Sequence, residues 1–76
     1  MTLEELKQIN WKAYRKLIDF WSELSRISIL RAKIDIENNL DDRYDLNETE
    51  YGLLFTDSHA GDTFVYDEEA DAWYNY

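Results

Sequence analysis

Carboxylates are the most abundant chemically active groups in this chain, and they are concentrated in its second part. The 76 residues include 17 acidic and 8 basic side chains, which give a net charge of −9 at pH 7. Residues 1–33 carry four acidic and seven basic side chains, whereas residues 34–76 carry thirteen acidic side chains and one base, Arg43. The two parts therefore have net charges of +3 and −12. A segment with this excess of negative charge repels itself and attracts cations, so the sequence predicts a cationic partner.

The spacing of these carboxylates suits a surface that pairs with phosphate-binding groups. Residues i and i+2 of an extended strand lie about 6.6–6.8 Å apart on one face. Glu48 and Glu50 have this spacing if the chain is extended there, and the same holds for 67, 69 and 71. Lys and Arg side chains that are arranged for phosphates would then pair with carboxylates.

Tyrosine and tryptophan side chains at the rim of such a surface are typical interface anchors. The predicted partner-binding residues are Asp41, Asp42, Asp45, Glu48, Glu50, Asp57, Asp62, Asp67, Glu68, Glu69 and Asp71, with Trp73, Tyr74 and Tyr76 as aromatic anchors.

The other reactive groups form no catalytic motif. His59 is the only histidine, and the chain has no cysteine, which excludes thiol chemistry and disulfides. His59 follows Asp57 and Ser58 in a predicted loop, but a Ser/His/Asp triad needs three groups that converge from a rigid scaffold beside an oxyanion hole. A glycosidase-like pair of carboxylates needs a substrate cleft, for which 76 residues leave little room. We expect His59 to be an exposed turn residue and the protein not to be an enzyme.

Metal, cofactor and direct nucleic-acid binding are not indicated either. The loop Asp57–Asp62 lacks the ligand alternation and the bidentate glutamate of an EF-hand, and the acidic run Asp67–Asp71 is better explained as a solvated turn. Phosphate contacts supply much of the affinity for nucleic acids, and a charge of −12 opposes them. The aromatic residues are therefore interpreted mainly as core, because a small sheet needs large side chains.

The helices that must support this acidic part are predicted in residues 1–40. Thr2 and Glu5 form a capping box, and a helical stripe of apolar residues then continues to Ile27. The stripe changes phase where three serines occur, and serine competes for backbone hydrogen bonds. The sequence therefore predicts helices over about 3–25 and 28–39.

One long helix is the alternative. From residue 3 to residue 38 it would measure about 54 Å, whereas a compact domain of this size has a diameter near 30 Å. Such a helix would require a dimer, although no Gly or Pro marks the predicted interruption.

The acidic part is predicted to form strands. Alternation of apolar and polar residues predicts strands over about 51–56, 63–66 and 72–76. The result is an α+β fold in a single domain, residues 1–76, with an N-terminal helical half and a small three-stranded antiparallel meander. No apolar run approaches the about 20 residues of a membrane span, and the first residues are acidic rather than basic as in a secretory signal. We expect a cytoplasmic protein without membrane contacts.

In composition and layout, the chain resembles the small acidic inhibitors that phages and mobile elements encode against host nucleases, restriction enzymes, CRISPR effectors or polymerases. The resemblance rests on small size, a folded composition and sorted charge, and no family motif is present. It implies nucleic-acid mimicry, in which carboxylates occupy the phosphate-binding groove of a cationic partner. An immunity protein that neutralises a basic toxin would use the same physics.

A second hypothesis is an adaptor or assembly module. The apolar and basic N-terminal helices would then dock on a partner or form a homodimer, while the acidic sheet would only keep the protein soluble. Substitutions at exposed helix positions such as Trp11, Lys12 and Arg15 would impair this function, and substitutions in the acidic turn would not.

Overall fold

Three helices cover one face of a four-stranded antiparallel sheet in the computed structural model, which describes residues 1–76. The strands are hydrogen-bonded in chain order, so the sheet is a meander. The elements are α1 (Leu3–Ile9), α2 (Trp11–Ser25), α3 (Ile29–Asn39), β1 (Tyr44–Thr49), β2 (Gly52–Asp57), β3 (Asp62–Asp67) and β4 (Ala72–Asn75). The predicted α+β class is confirmed, but the strand count of three is wrong because the sheet has four. None of the helices has the length and apolar character that are needed to cross a membrane.

Asn10 divides the predicted helix 3–25 into α1 and α2. Its backbone is extended, with φ −152° and ψ 91°, and its side-chain oxygen accepts a hydrogen bond from the N–H of Ala13 at 3.0 Å. Its own N–H donates to the carbonyl of Leu6, so Asn10 ends one helix and begins the next. The sequence prediction missed this boundary because the apolar stripe continues in phase on both sides of Asn10.

The second boundary lies where the serines predicted it. Arg26 adopts a left-handed conformation (φ 56°, ψ 45°) and ends α2. Ser28 then caps α3, since its hydroxyl accepts a hydrogen bond from the N–H of Arg31 at 3.2 Å. The interruption excludes the single long helix.

The core lies between the helices and the inner face of the sheet, with Trp21 near its centre. The Trp21 ring contacts the rings of Tyr44 and Phe55 edge-to-face, with both centroid distances at 5.2 Å. Aromatic pairs of this kind contribute about 0.5–1.5 kcal/mol each beyond the area they bury. Two polar groups of this region donate to one oxygen of Asp35: the indole N–H of Trp21 at 2.9 Å and the hydroxyl of Tyr44 at 2.6 Å. Burial, and then the bond to Asp35, raise the pKa of Tyr44 to about 12.

The additional strand is β1. Only Tyr44 and Leu46 of its six residues are buried, and the acidic and amide residues between them lower its β-propensity. The strand is held by its pairing with β2 and by a bidentate ion pair at its start. In that pair, Nε and Nη2 of Arg43 donate to the two carboxylate oxygens of Asp57 at 3.1 and 3.0 Å. The three predicted strands correspond to β2, β3 and β4, with ends within one residue of the predicted bounds.

The β2–β3 and β3–β4 turns have the same local geometry. The side chains of Asp57 and Asp67 each accept hydrogen bonds from the N–H groups two and three residues later. Each turn contains a residue with positive φ four positions after that aspartate, Gly61 at 72° and Asp71 at 51°. The acidic run 67–71 is therefore a tight turn, and the extended spacing predicted for its carboxylates does not occur.

Candidate partner-binding site

The meander divides the acidic residues between two ends of the sheet. Successive turns of a meander lie at opposite ends, and a six-residue strand spans about 17 Å. The tip end, as we name it, contains the β1–β2 and β3–β4 turns and carries Glu48, Glu50, Asp67, Glu68, Glu69 and Asp71. The base end contains the α3–β1 connection and the β2–β3 turn and carries Asp41, Asp42, Asp45, Asp57 and Asp62. The predicted carboxylates therefore do not form one continuous surface.

The outer face of the sheet separates the two ends and is mostly uncharged. The central row across the four strands consists of Asn47, Leu54, Val65 and Tyr74. The neighbouring positions Thr56 and Thr63 face each other with hydroxyl oxygens 3.3 Å apart. A partner that binds through carboxylates must therefore approach one end of the sheet.

The tip end forms a groove of about 520 Å³ between the α1–α2 junction and the two hairpin turns. We name it the acidic groove. Glu48 lies on the same face of β1 as the buried Tyr44 and Leu46, one step beyond the core, and thus points toward the helices. No basic side chain lines the groove. Its lining residues are Ile9, Asn10, Glu48, Thr49, Glu50, Tyr51, Gly52, Leu53, Tyr66 and Glu68.

The β1–β2 turn holds an aromatic side chain beside these carboxylates. The hydroxyl of Thr49 donates to the carbonyl of Gly52 at 3.0 Å and accepts from the N–H of Tyr51 at 3.1 Å. Gly52 has φ +108°, a conformation that side-chain-bearing residues rarely adopt, although space for a Cβ exists. These bonds fix the backbone of Tyr51 at the tip, where 67% of its surface is exposed, and Ile9 on the opposite wall is 52% exposed.

The negative field at the tip end acts on the buried Tyr66. Its hydroxyl donates to Asp71 at 2.7 Å. Burial of the phenol is the main cause that raises the pKa of Tyr66 to about 12, followed by the bond to Asp71 and the charges of Asp71, Glu68 and Asp67. No Lys or Arg forms an ion pair with any tip-end carboxylate.

At the base end, one carboxylate, Asp57, is used internally. The Arg43–Asp57 pair is the only ion pair in the molecule, and the guanidinium of Arg43 also lies over the ring of Tyr44 at 5.1 Å. The hydrogen bond from Arg43 lowers the pKa of Asp57. Asp41, Asp42, Asp45 and Asp62 are exposed and form no ion pair.

Two predicted interface residues are structural instead. Asp57 is only 2% exposed because it binds Arg43 and the N–H groups of its own turn. Trp73 is 4% exposed, and its indole N–H donates to the carbonyl of Ala13 at 3.0 Å. Tyr74 and Tyr76 are exposed as predicted, but they belong to β4 and the segment after it, away from the acidic groove.

The structure adds two residues that the sequence prediction did not include, Ile9 and Tyr51. The sequence predicts Tyr51 as the first residue of the strand 51–56, whereas it lies in the β1–β2 turn. The sequence contained a usable signal, because a glycine so soon after the polar run 47–50 favours a tight turn there. Ile9 could not be found in this way, since it belongs to the same apolar stripe as the core residues of α1.

The carboxylate of Asp57 and the hydroxyl of Ser58 bond to Arg43 and not to the side chain of His59. His59 is exposed in the β2–β3 turn, and the hydroxyl of its neighbour Ser58 donates to the carbonyl of Arg43 at 2.7 Å. A cavity of about 670 Å³ lies beside Asp35, whose oxygens accept hydrogen bonds from Trp21, Asn39 and Tyr44. No group of three or more His, Asp or Glu side chains has an arrangement that could hold a metal ion.

The helices carry a second exposed surface of different character. A groove of about 390 Å³ between α2 and α3 is lined by Trp11, Tyr14, Ile18, Ile29 and Leu30, with the bases Arg15 and Lys33 and the acid Asp19. Leu30 is 67% exposed, and Ile29 is 58% exposed. We name this the helical groove.

Comparisons of the chain with protein-family models, with curated proteins and with solved structures find no match.

Proposed function

We propose that the protein is a non-enzymatic inhibitor that binds a cationic, nucleic-acid-binding partner through its acidic groove. One observation supports this most directly. Glu48 and Glu50 of one hairpin and Glu68 of another converge around the exposed Tyr51, with no basic side chain in the groove. Carboxylates without ion pairs are available to the Lys and Arg side chains of a partner.

The interaction would be nucleic-acid mimicry over a short span. Lys and Arg side chains that a partner directs at phosphates would form charge-assisted hydrogen bonds with the groove carboxylates. Tyr51 and Ile9 would supply the apolar centre of the interface, and the surrounding carboxylates its charged rim. Because the base end lies about 17 Å away across a mostly uncharged face, the protein would block part of a phosphate-binding groove.

The partner classes that fit this chemistry are nucleases, restriction enzymes, CRISPR effectors and polymerases. Each binds phosphates through a cationic groove, and each would be approached quickly by a protein of charge −9 through electrostatic steering. Inhibition of this kind is typical of phage and mobile-element proteins that act in the cytoplasm. A basic toxin would meet the same requirements.

The experiment compares two triple variants with the same charge. The groove variant is Glu48→Gln with Glu50→Gln and Glu68→Gln. The base-end control is Asp41→Asn with Asp42→Asn and Asp62→Asn. Each changes the net charge from −9 to −6. The tagged wild-type protein and both variants are used to capture proteins from a bacterial lysate, and elution with NaCl is compared with elution by duplex DNA.

The proposal predicts that the wild-type protein and the base-end control capture a DNA-binding protein, whereas the groove variant does not. Both NaCl and duplex DNA should elute the captured protein. Equal capture by the two triple variants would refute the assignment to the groove. A partner that is insensitive to both salt and DNA would refute mimicry.

The helical groove supports a second candidate function, an adaptor that docks through its helices. The observation that favours an adaptor is that two adjacent apolar side chains, Ile29 and Leu30, are exposed beside Trp11. This function predicts that Leu30→Ser abolishes capture of the partner, whereas the groove triple variant leaves capture unchanged. The two candidate functions therefore give opposite results in the same assay.

A further inference from the structure

The two edges of the sheet differ in how their backbone groups are used. On β1, the carbonyl of Tyr44 accepts a hydrogen bond from the N–H of Asp41 at 2.7 Å. The carbonyl of Leu46 accepts one from the amino group of Met1 at 2.6 Å. This edge is therefore partly covered by the chain itself.

The β4 edge has no comparable cover. The N–H of Tyr76 donates to the carbonyl of Thr63 at 2.8 Å, which fixes the alternation of hydrogen bonds along the β3–β4 ladder. In this register, Tyr74 bonds to β3, whereas the N–H and C=O groups of Trp73 and Asn75 point away from it. No turn, cap or side-chain hydrogen bond involves those main-chain groups.

The β4 edge also lacks the features that protect edge strands from pairing. Such strands commonly carry Lys, Pro or other charged residues, but Ala72–Tyr76 contains no charged side chain and no proline. Tyr74 is 50% exposed and Tyr76 is 65% exposed. β4 is the only one of the four strands without a carboxylate side chain. Another strand can therefore pair with it without meeting negative charge on β4.

We propose that two copies of the protein associate through antiparallel pairing of their β4 strands, which gives a continuous eight-stranded sheet. With the twofold axis at Tyr74, Trp73 of each copy exchanges two backbone hydrogen bonds with Asn75 of the other. The Tyr74 residues form the non-hydrogen-bonded pair between them, with Cα atoms about 4.5 Å apart. Their rings then contact each other on the outer face of the sheet, as cross-strand aromatic pairs do.

Charge complementarity on α2 favours a second copy over an unrelated strand. The side of α2 beside β4 carries Lys12 and Lys16 toward its beginning and Asp19 and Glu23 toward its end, next to Asp71 and Trp73. A twofold axis perpendicular to the sheet reverses the direction of α2 in the second copy. The basic half of each α2 then lies toward the acidic half of the other, so the strip is self-complementary, as an isologous interface requires.

The test is sedimentation velocity with light scattering over a concentration series of the whole protein. Wild type is expected to move from 9.2 kDa toward twice that mass as its concentration rises. Asn75→Pro removes an N–H that points away from β3, so the β3–β4 ladder stays intact. This variant is expected to raise the dimer dissociation constant by about tenfold or more. Asn75→Ala is the matched control, because it removes the same side chain and keeps the N–H, and it is expected to dimerise like wild type.

A charge exchange tests the α2 contact independently of strand geometry. Lys16→Glu and Glu23→Lys are each expected to weaken the dimer, and the double variant is expected to restore it because both copies exchange their charges. Tyr74→Lys places two cations at the twofold axis, on an exposed position. It is expected to be a monomer by sedimentation velocity and folded by circular dichroism.

A wild-type mass of 9.2 kDa at every concentration would overturn the proposal. A dimer that Asn75→Pro and Tyr74→Lys leave unchanged but that Leu30→Ser dissociates would overturn it as well, because it would place the contact at the helical groove.

Discussion

The tip end and the base end of the sheet carry similar numbers of carboxylates but use them differently. At the base end, Asp57 is buried, holds its own turn together and binds Arg43. At the tip end, Glu48, Glu50 and Glu68 have no cationic partner and surround an exposed aromatic side chain. The number of acidic residues therefore does not by itself identify a binding surface. What distinguishes the two ends is that the base end contains a partly buried ion pair, whereas no basic side chain lines the acidic groove at the tip end.

The β2–β3 turn at the base end and the β3–β4 turn at the tip end have the same geometry, so their contributions to stability can be compared directly. Here we expect the largest effect. Asp57→Ala should lower the free energy of unfolding by about 3 kcal/mol, because it removes two turn hydrogen bonds and leaves Arg43 without its partner. Asp67→Ala removes the same turn hydrogen bonds at an exposed position and should cost about 1 kcal/mol. Urea unfolding followed by tryptophan fluorescence measures both values. Similar losses for the two variants would show that the ion pair contributes little.

The exposed aromatic residue of the tip end should matter for binding and not for folding. Tyr51→Ala is expected to weaken affinity for a captured partner by about 2 kcal/mol, which corresponds to about thirtyfold. Its free energy of unfolding should change by less than about 0.5 kcal/mol, because the ring is exposed. Tyr76→Ala is the matched control, an equally exposed tyrosine away from the groove, and should leave affinity unchanged. Equal losses at both positions would exclude Tyr51 as an anchor.

Local patterns predicted much of this fold, whereas the site depended on topology. The capping box at Thr2, the interruption at the serines and three strands all follow from short-range chemistry. Asn10 was missed because a cap can occur within an apolar stripe without changing its phase. β1 was missed because its acidic and amide residues lower its β-propensity, and because the ion pair at its start joins Arg43 of the α3–β1 connection to Asp57, 14 residues later. Local sequence carries little information about such a pairing.

The candidate site likewise depends on the sheet topology, which local sequence patterns do not reveal. Residue type identified the exposed carboxylates, but only the meander shows that Glu50 and Glu68 lie at one end and Asp62 at the other. Asp57 and Asp67 begin turns of the same geometry, yet Asp57 lies on the buried face of β2 and Asp67 on the exposed face of β3. Trp73 was predicted as an anchor because the chemistry that suits tryptophan to interfaces also suits it to a core.

The pH dependence of stability gives a smaller effect that is specific to the base end. The hydrogen bond from Arg43 lowers the pKa of Asp57 in the folded state. The pair therefore contributes fully above the unfolded-state pKa, near 3.9 for aspartate, and this contribution is lost as the pH falls through the lower folded-state pKa. The difference in unfolding free energy between wild type and Asp57→Asn should be constant from about pH 7 to about pH 5 and should decrease below about pH 4. A difference that persists to about pH 2 would mean that the pair is not the origin of Asp57's contribution.

Salt should give the smallest effect, and it should come mainly from the tip end. Because a single ion pair accompanies the net charge of −9, screening removes more repulsion than attraction. The melting temperature of wild type should therefore rise by about 3 °C between about 20 and about 500 mM NaCl, which corresponds to less than about 1 kcal/mol. The groove triple variant has lost three unpaired charges that line one groove without a basic side chain, so its melting temperature should respond less to salt than that of the base-end control. Both variants have a net charge of −6, so a difference between them reports where the repulsion lies. Identical salt responses would show that the repulsion is spread over the whole molecule, and a melting temperature that falls with salt would show that Arg43–Asp57 outweighs it.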